Sequence, residues 1–191
     1  MTDFFQNLVE EAGAAGLDFL LVGGNAINTY GYQRTTVDAD LLIREEDLAL
    51  WKAFWETRGY RCFHQTDAFS QFQSKDETER FPVDLMIVAS STYEKLASLK
   101  QTKSIGEAEL SVPAPLHLIA LKLHALRSKE RAADGKDIGD IVGLIRACDI
   151  EIEDLHFQEV FQRYADEETR LQLLARLRDE LDGGPTDAGS S

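Results

Sequence analysis

Covalent cross-links are what this 191-residue sequence is least equipped to make. Its two cysteines, Cys62 and Cys148, lie far apart and form no CxxC pair. Neither a disulfide framework nor a zinc site is expected, and a reducing cytoplasm suits the chain. Positive charge is also scarce. Lys and Arg number 20 against 34 Asp and Glu, a formal charge of −14. That balance excludes broad, passive binding to nucleic acid, although not a local basic patch. MTDFFQNLVEEAG has no basic segment followed by an apolar one, and no later apolar run is long enough for a bilayer. A soluble cytoplasmic protein without a membrane partner is predicted. His64, His117, His124 and His156 have no metal-like spacing, and no serine sits in a nucleophile elbow, so a hydrolase triad is not supported.

What is present is a mixed pattern of strands and helices, with no internal repeat. A first helix is predicted after a Thr2 or Asp3 cap, with Phe5, Leu8, Val9 and Ala12 on one face and a stop near Gly13 to Gly16. LDFLLVGG reads as a buried strand, NAINTYG as a short helix or turn, and TTVDADLLI as a second strand. EEDLALWKAFWETR is an amphipathic helix closed by Gly59, in which Trp51 and Trp55, one turn apart, read as packing. YRCFHQ, FSQFQSK and FPVDLMIV follow as strands, then STYEKLASLKQ as a helix capped by Ser91 or Thr92. From Pro115 the pattern is helical only, through PLHLIALKLHALRSKER, DIGDIVGLIRAC and DLHFQEVFQRYADEETRLQLLARLRDEL. The expected fold is therefore α+β: a mixed, partly antiparallel sheet with flanking helices over 1–112, a helical lobe over 113–182 and a flexible tail over 183–191.

Within that plan three aspartates stand out. Side chains alternate along a strand, so Thr36, Asp38, Asp40 and Leu42 share one face and Val37, Ala39, Leu41 and Ile43 the other. Taken alone, the DxD pattern is what an ordinary strand with one wet face shows. Asp84 alters the weighing, because in FPVDLMIV it shares a face with Met86 and Val88. Several carboxylates among apolar neighbours repel unless protonated or neutralised by cations. Hard oxygen ligands on strands suit Mg²⁺, with Mn²⁺ as an alternative, and two such ions serve phosphoryl chemistry. Gly23-Gly24, ending a strand and opening a turn, lets a backbone approach an anionic ligand; a tight turn is its plain structural role.

Gly23-Gly24, thirteen intervening residues and then Asp38-Ala39-Asp40 resembles the signature of the DNA polymerase β-like nucleotidyltransferase superfamily. The fuller string, GGNA with Arg34, Thr36, Asp38 and Asp40, is similar to abortive-infection (AbiEii-like) nucleotidyltransferases, the match running roughly over residues 17–145. The resemblance implies a nucleotidyltransferase-like sheet lobe and Mg²⁺, in a two-ion site, held by Asp38, Asp40 and Asp84, with Asp84 as the general base. Gly23, Gly24, Asn25, Arg34, Thr36 and Lys122 would contact a nucleoside triphosphate lying in the cleft between sheet and helical lobes. Lys136, Asp137 and Asp140 in GKDIGDI would form a helical-lobe or acceptor site. Ala133-Asp134 departs from the family, which commonly has arginine there.

The later residues also have readings of their own. Leu116, Ile119, Ala120, Leu123 and Leu126 form a helical stripe with Lys122 at its edge, a solvated lysine if not a triphosphate cation. Asp137 suits an N-cap, with Asp140 complementing the helix dipole. Lys122, Arg127, Lys129, Arg131 and Lys136 make a basic segment, either a substrate face or an ordinary charged helix surface. The functional expectation is nucleotide transfer from an NTP to a tRNA, protein or small-molecule acceptor by a toxin with a cognate antitoxin. The alternatives are a catalytically silent, antitoxin-like binding partner and an aminoglycoside-type nucleotidyltransferase.

Overall fold

The computed structural model describes residues 2–75, 81–127 and 135–182. It divides into two units, one ending at Ala114 and the other starting at Pro115. Among the described residues no helix is long and apolar enough to cross a membrane.

The first unit is a five-stranded mixed sheet with helices and a separate hairpin. Helix α1 (Thr2–Ala14) buries Phe5, Leu8 and Ala12, three of the four positions predicted, while Val9 stays half-buried. Strand β1 (Leu20–Val22) is only three residues long, because the helix α2 (Gly23–Thr29) starts at the first glycine. Strand β2 (Ala39–Arg44) is followed by a 3₁₀ turn (Glu45–Asp47) and helix α3 (Leu48–Thr57). Glu45, Glu46 and Asp47, which open the predicted helix EEDLALWKAFWETR, thus occupy the 3₁₀ segment. Strands β3 (Tyr60–Gln65), β4 (Phe69–Ser74) and β5 (Val83–Val88) complete the order β1-β2-β5-β4-β3. Among these described strands only β2 and β5 pair in parallel.

Both faces of β2 are covered at its centre, where Leu41, Leu42 and Ile43 are fully buried. Trp51 and Trp55 pack rather than stack on a ligand: Trp51 meets Phe19 edge-on at 5.8 Å, and Trp55 meets Tyr60 at 4.9 Å. Both indole N–H groups are buried without an acceptor among the described residues. Each omission costs about 1–3 kcal/mol, comparable to or less than the roughly 3–5 kcal/mol lost on truncating a buried Trp. Packing decides the position.

Helix α4 (Ser90–Ala97) begins one residue before the predicted cap. Ala89 is the flanking residue and makes no side-chain cap, so Ser91 and Thr92 lie inside the helix. Arg44, at the end of β2, pins this helix: its guanidinium lies 4.0 Å from the Tyr93 ring centroid and donates to Glu94 at 2.9 Å. Burial pushes the Tyr93 hydroxyl up to about 12, against the opposing pull of Arg44. The predicted continuation of α4 to Gln101 is replaced by a hairpin, β6 (Gln101–Ile105) and β7 (Ala108–Val112). Gly106, at φ +61°, opens its two-residue turn. Ala108, Leu110 and Val112 are buried on β7, which packs on α1 and β1.

The second unit contains α5 (Pro115–Ala125), α6 (Lys136–Ala147), α7 (Leu155–Tyr164) and α8 (Glu167–Asp182). The last predicted helical run is broken at Ala165, with fresh caps on both parts. Asp154 accepts from the His156 and Phe157 amides, and Asp166 from the Thr169 amide at 2.8 Å. That backbone hydrogen bond holds the Asp166 carboxyl below its ordinary range. The tail predicted for 183–191 and the Ala133-Asp134 departure lie outside the described residues.

Candidate functional site

Sheet register brings the three aspartates together. Asp40 and Asp84 are direct partners across the parallel β2–β5 pair, so their side chains leave the same face side by side. Asp38 does not belong to the strand, contrary to the alternation reading, because pairing starts at Ala39. The β-branched run Thr35-Thr36-Val37 remains outside the ladder, with Val37 exposed. Asp38 nevertheless presents a carboxylate oxygen to the same place. Ligand atoms of Asp38, Asp40 and Asp84 lie within 4.8 Å of one another, all three residues half-buried.

The loop that delivers Asp38 is held by side chains. Asn28 clasps it at two points, accepting from the Arg34 amide at 2.9 Å and donating to the Arg34 carbonyl at 3.0 Å. Asn25, buried in α2, donates to the Asp38 carbonyl at 2.7 Å. The Thr36 hydroxyl donates to Asp38 Oδ1 at 2.8 Å. Of the residues expected to contact nucleotide, Asn25 and Thr36 therefore also brace Asp38. Asn28 was not singled out in the sequence; a lone asparagine in a polar turn carries no signal of its distant partner.

Gly23 and Gly24 are required by what lies over them. The antiparallel register sets Val22 against Asp40, so the next residue passes beneath the Asp40 side chain. Gly23 has φ +63°, and a Cβ there would overlap the Asp40 carboxylate. A Cβ on Gly24 would come within 2.7 Å of Arg34 Nη2 and of Thr36 Oγ1. The glycine pair thus admits the acid and the guanidinium to the backbone. A residue missed from the sequence also reaches the triad: Gln71, opposite Asp84 on β4, donates to Asp84 Oδ2 at 2.8 Å. Alternation puts Gln71 on the wetter face of β4, but only strand register reveals its partner.

Lys122, Lys136, Asp137 and Asp140 belong to the second unit. Lys122 on α5 bonds Asp137 Oδ1 and Asp140 Oδ2 on α6, each at 2.6 Å. The lysine side chain is 13% exposed, and those of the aspartates 6% and 1%. It is not a solvated lysine. Asp137 is not the N-cap either: Gly135, at φ +65°, flanks the helix, and Asp137 sits in its first turn. Lys136 and Arg127 are exposed, so the predicted basic segment separates into a buried ion triad and surface charges; Lys129 and Arg131 lie outside the described residues.

Two substitutions test these local constraints. Gly23→Ala forces a left-handed alanine, which costs about 1–2 kcal/mol, and also displaces Asp40. Gly13→Ala, where a Cβ meets nothing within 4 Å, is expected to be neutral or to stabilise by up to about 1 kcal/mol. Denaturant melts with the opposite ranking would contradict the packing described. Lys122→Met removes the ammonium shared by two buried carboxylates and is expected to cost about 3–5 kcal/mol; a melting curve like wild type would show the triad to be unimportant for stability.

A family model described as nucleotidyl transferase AbiEii toxin, type IV TA system, matches residues 8–185. No curated protein sequence is significantly similar to the chain. Among solved structures it resembles the antibiotic-resistance factor ANT(2″)-Ia in solution, with a TM-score of 0.63, 16% identity, and coverage of 94% of this chain and 100% of that one. It also resembles an antigenic nucleotidyltransferase-like protein from Paracoccidioides brasiliensis, with a TM-score of 0.56, 14% identity, and coverage of 93% and 91%. ANT(2″)-Ia in complex with adenylyl-2″-tobramycin gives a TM-score of 0.53 at 14% identity, covering 94% and 98%. At such identities the likeness speaks for the nucleotidyltransferase fold. The match over 8–185 goes further: the chain belongs to the AbiEii nucleotidyltransferase family.

Proposed function

We propose that the protein is a divalent-metal-dependent nucleotidyltransferase that passes a nucleotide from an NTP to an acceptor hydroxyl or phosphate, and that it is the toxin of a toxin–antitoxin pair. The observation that carries this reading is the convergence of Asp38, Asp40 and Asp84 within 4.8 Å. Three hard carboxylate oxygens on or beside sheet strands fit Mg²⁺ or Mn²⁺ better than zinc, whose sites favour nitrogen and sulfur. These residues would hold the metal, in a one- or two-ion site. When bound, it would offset charge on the triphosphate and on the departing pyrophosphate.

The chain's own residues would do the rest. Gly23 and Gly24 keep side chains out of the turn, and Arg34 brings a guanidinium against Gly24, where it would draw the triphosphate. Asn25 and Thr36 fix Asp38. Asp84 would take the proton as the acceptor oxygen attacks the α-phosphorus, the bond to the pyrophosphate oxygen breaking as the new P–O bond forms. The Lys122–Asp137–Asp140 triad would tie α5 to α6 within the second unit.

The toxin assignment rests on the family, whose description implies a cognate antitoxin as partner. A cytoplasmic setting accords with a chain whose two cysteines, Cys62 and Cys148, lie far apart in the sequence. An intact acid triad weighs against a silent, antitoxin-like fold. Small-molecule modification is kept as an arm of the test, since the resemblance to ANT(2″)-Ia speaks for fold alone.

The purified protein should be incubated with Mg²⁺ and each α-labelled NTP, offered tRNA, protein or an aminoglycoside. Label is expected on one class of acceptor, and Asp38→Ala is expected to reduce its transfer at least about 100-fold, the upper end of what loss of a mere outer-shell partner costs. Equal labelling by both proteins would remove Asp38 from the site.

A further inference from the structure

Asp84 is gripped by a side chain to which the proposed chemistry gives no role. Gln71 stands directly across from it on β4, and Gln71 Nε2 donates to Asp84 Oδ2 at 2.8 Å. An ionised carboxylate only accepts, so the amide must present its nitrogen. The terminal torsion of an aspartate is broad and nearly two-fold, and a donor fixed on one oxygen narrows it. The donor is also neutral. It can orient the carboxylate without cancelling the negative charge that attracts a cation, whereas a lysine or arginine there would form a competing ion pair.

The same device recurs on Asp38, whose Oδ1 is held by the Thr36 hydroxyl at 2.8 Å. Two of the three acids thus have one oxygen tied by an uncharged group. Gln71 reaches its partner from a neighbouring strand, so its placement depends on the β4–β5 register. Ser70 and Phe72, which flank it, are buried on the other face and pair with Leu85 and Val83, which fixes that register.

We infer that Gln71 is a positioning residue for the metal centre: it turns Asp84 so that one oxygen is held by β4 and the other is presented to a divalent cation. Partners of this outer kind typically change metal affinity 10–100-fold when removed. The inference rests on the metal-dependent reading above, and its test separates the two.

Mn²⁺ alone is titrated calorimetrically into metal-free wild type, Gln71→Met and Gln71→Val. The control is Gln73→Met, an exposed glutamine two residues along the same strand, opposite Arg61. The Mn²⁺ dissociation constant is expected to rise about 10–100-fold in both Gln71 variants and to stay unchanged in Gln73→Met. The melting temperature of the metal-free protein is expected to stay put throughout. In nucleotide transfer the half-saturating metal concentration should rise while kcat at saturating metal recovers. Wild-type affinity in the Gln71 variants, or equal weakening by Gln73→Met, would overturn the inference and leave the metal reading intact. Lost affinity accompanied by a lowered melting temperature in both Gln71 variants would assign Gln71 to the fold and also overturn it. A wild type that binds no Mn²⁺ would defeat the metal reading itself, and this inference with it.

Discussion

Mutual repulsion among Asp38, Asp40 and Asp84 is the constraint around which the first unit is arranged. Two ionised carboxylates at the 4.8 Å limit of their spacing repel by about 3–4 kcal/mol at an effective dielectric near 20. A cation bound among them would offset this repulsion. The crowding is nevertheless built in at several levels: a parallel register that sets Asp40 opposite Asp84, a glycine that yields its Cβ space to Asp40, and a loop tied by Asn25, Asn28 and Thr36. Removing the acids would relax each of these requirements, which is why they are better explained together than singly.

The second unit solves a charge problem the opposite way. Asp137 and Asp140 are as buried as core residues, and Lys122 meets both. Here the cation is part of the chain, and the triad joins α5 to α6. Half-buried carboxylates that converge on one another in one unit, and buried ones that converge on a lysine in the other, set the proposed ion site apart from a structural tie.

Much of this was legible in the sequence, and the rest failed for identifiable reasons. Asp84 could be grouped with Asp40 because alternation alone places it on one face of FPVDLMIV, and the glycine pair could be tied to the acids by the spacing it shares with known relatives. Alternation misled at Asp38: Thr35, Thr36 and Val37 have strand propensity, yet side-chain ties to α2 keep them out of the ladder, an override of a weak preference. The β6–β7 hairpin went unseen because β6 is polar and largely exposed, its strand state owed to pairing with β7 rather than to its own pattern. Ser91 and Thr92 had the right chemistry for a cap and the wrong position by two or three residues. Gln71, Asn28 and the sharing of Lys122 depend on register and helix pairing, which a single sequence does not carry.

Diffraction at the manganese edge from crystals grown with Mn²⁺ and a non-hydrolysable NTP analogue tests the central claim most directly. Anomalous density is expected bonded to oxygens of Asp38, Asp40 and Asp84 at about 2.0–2.2 Å, typical of small hard cations, with the triphosphate beside it. Manganese and triphosphate bound together elsewhere, with none between those aspartates, would contradict it.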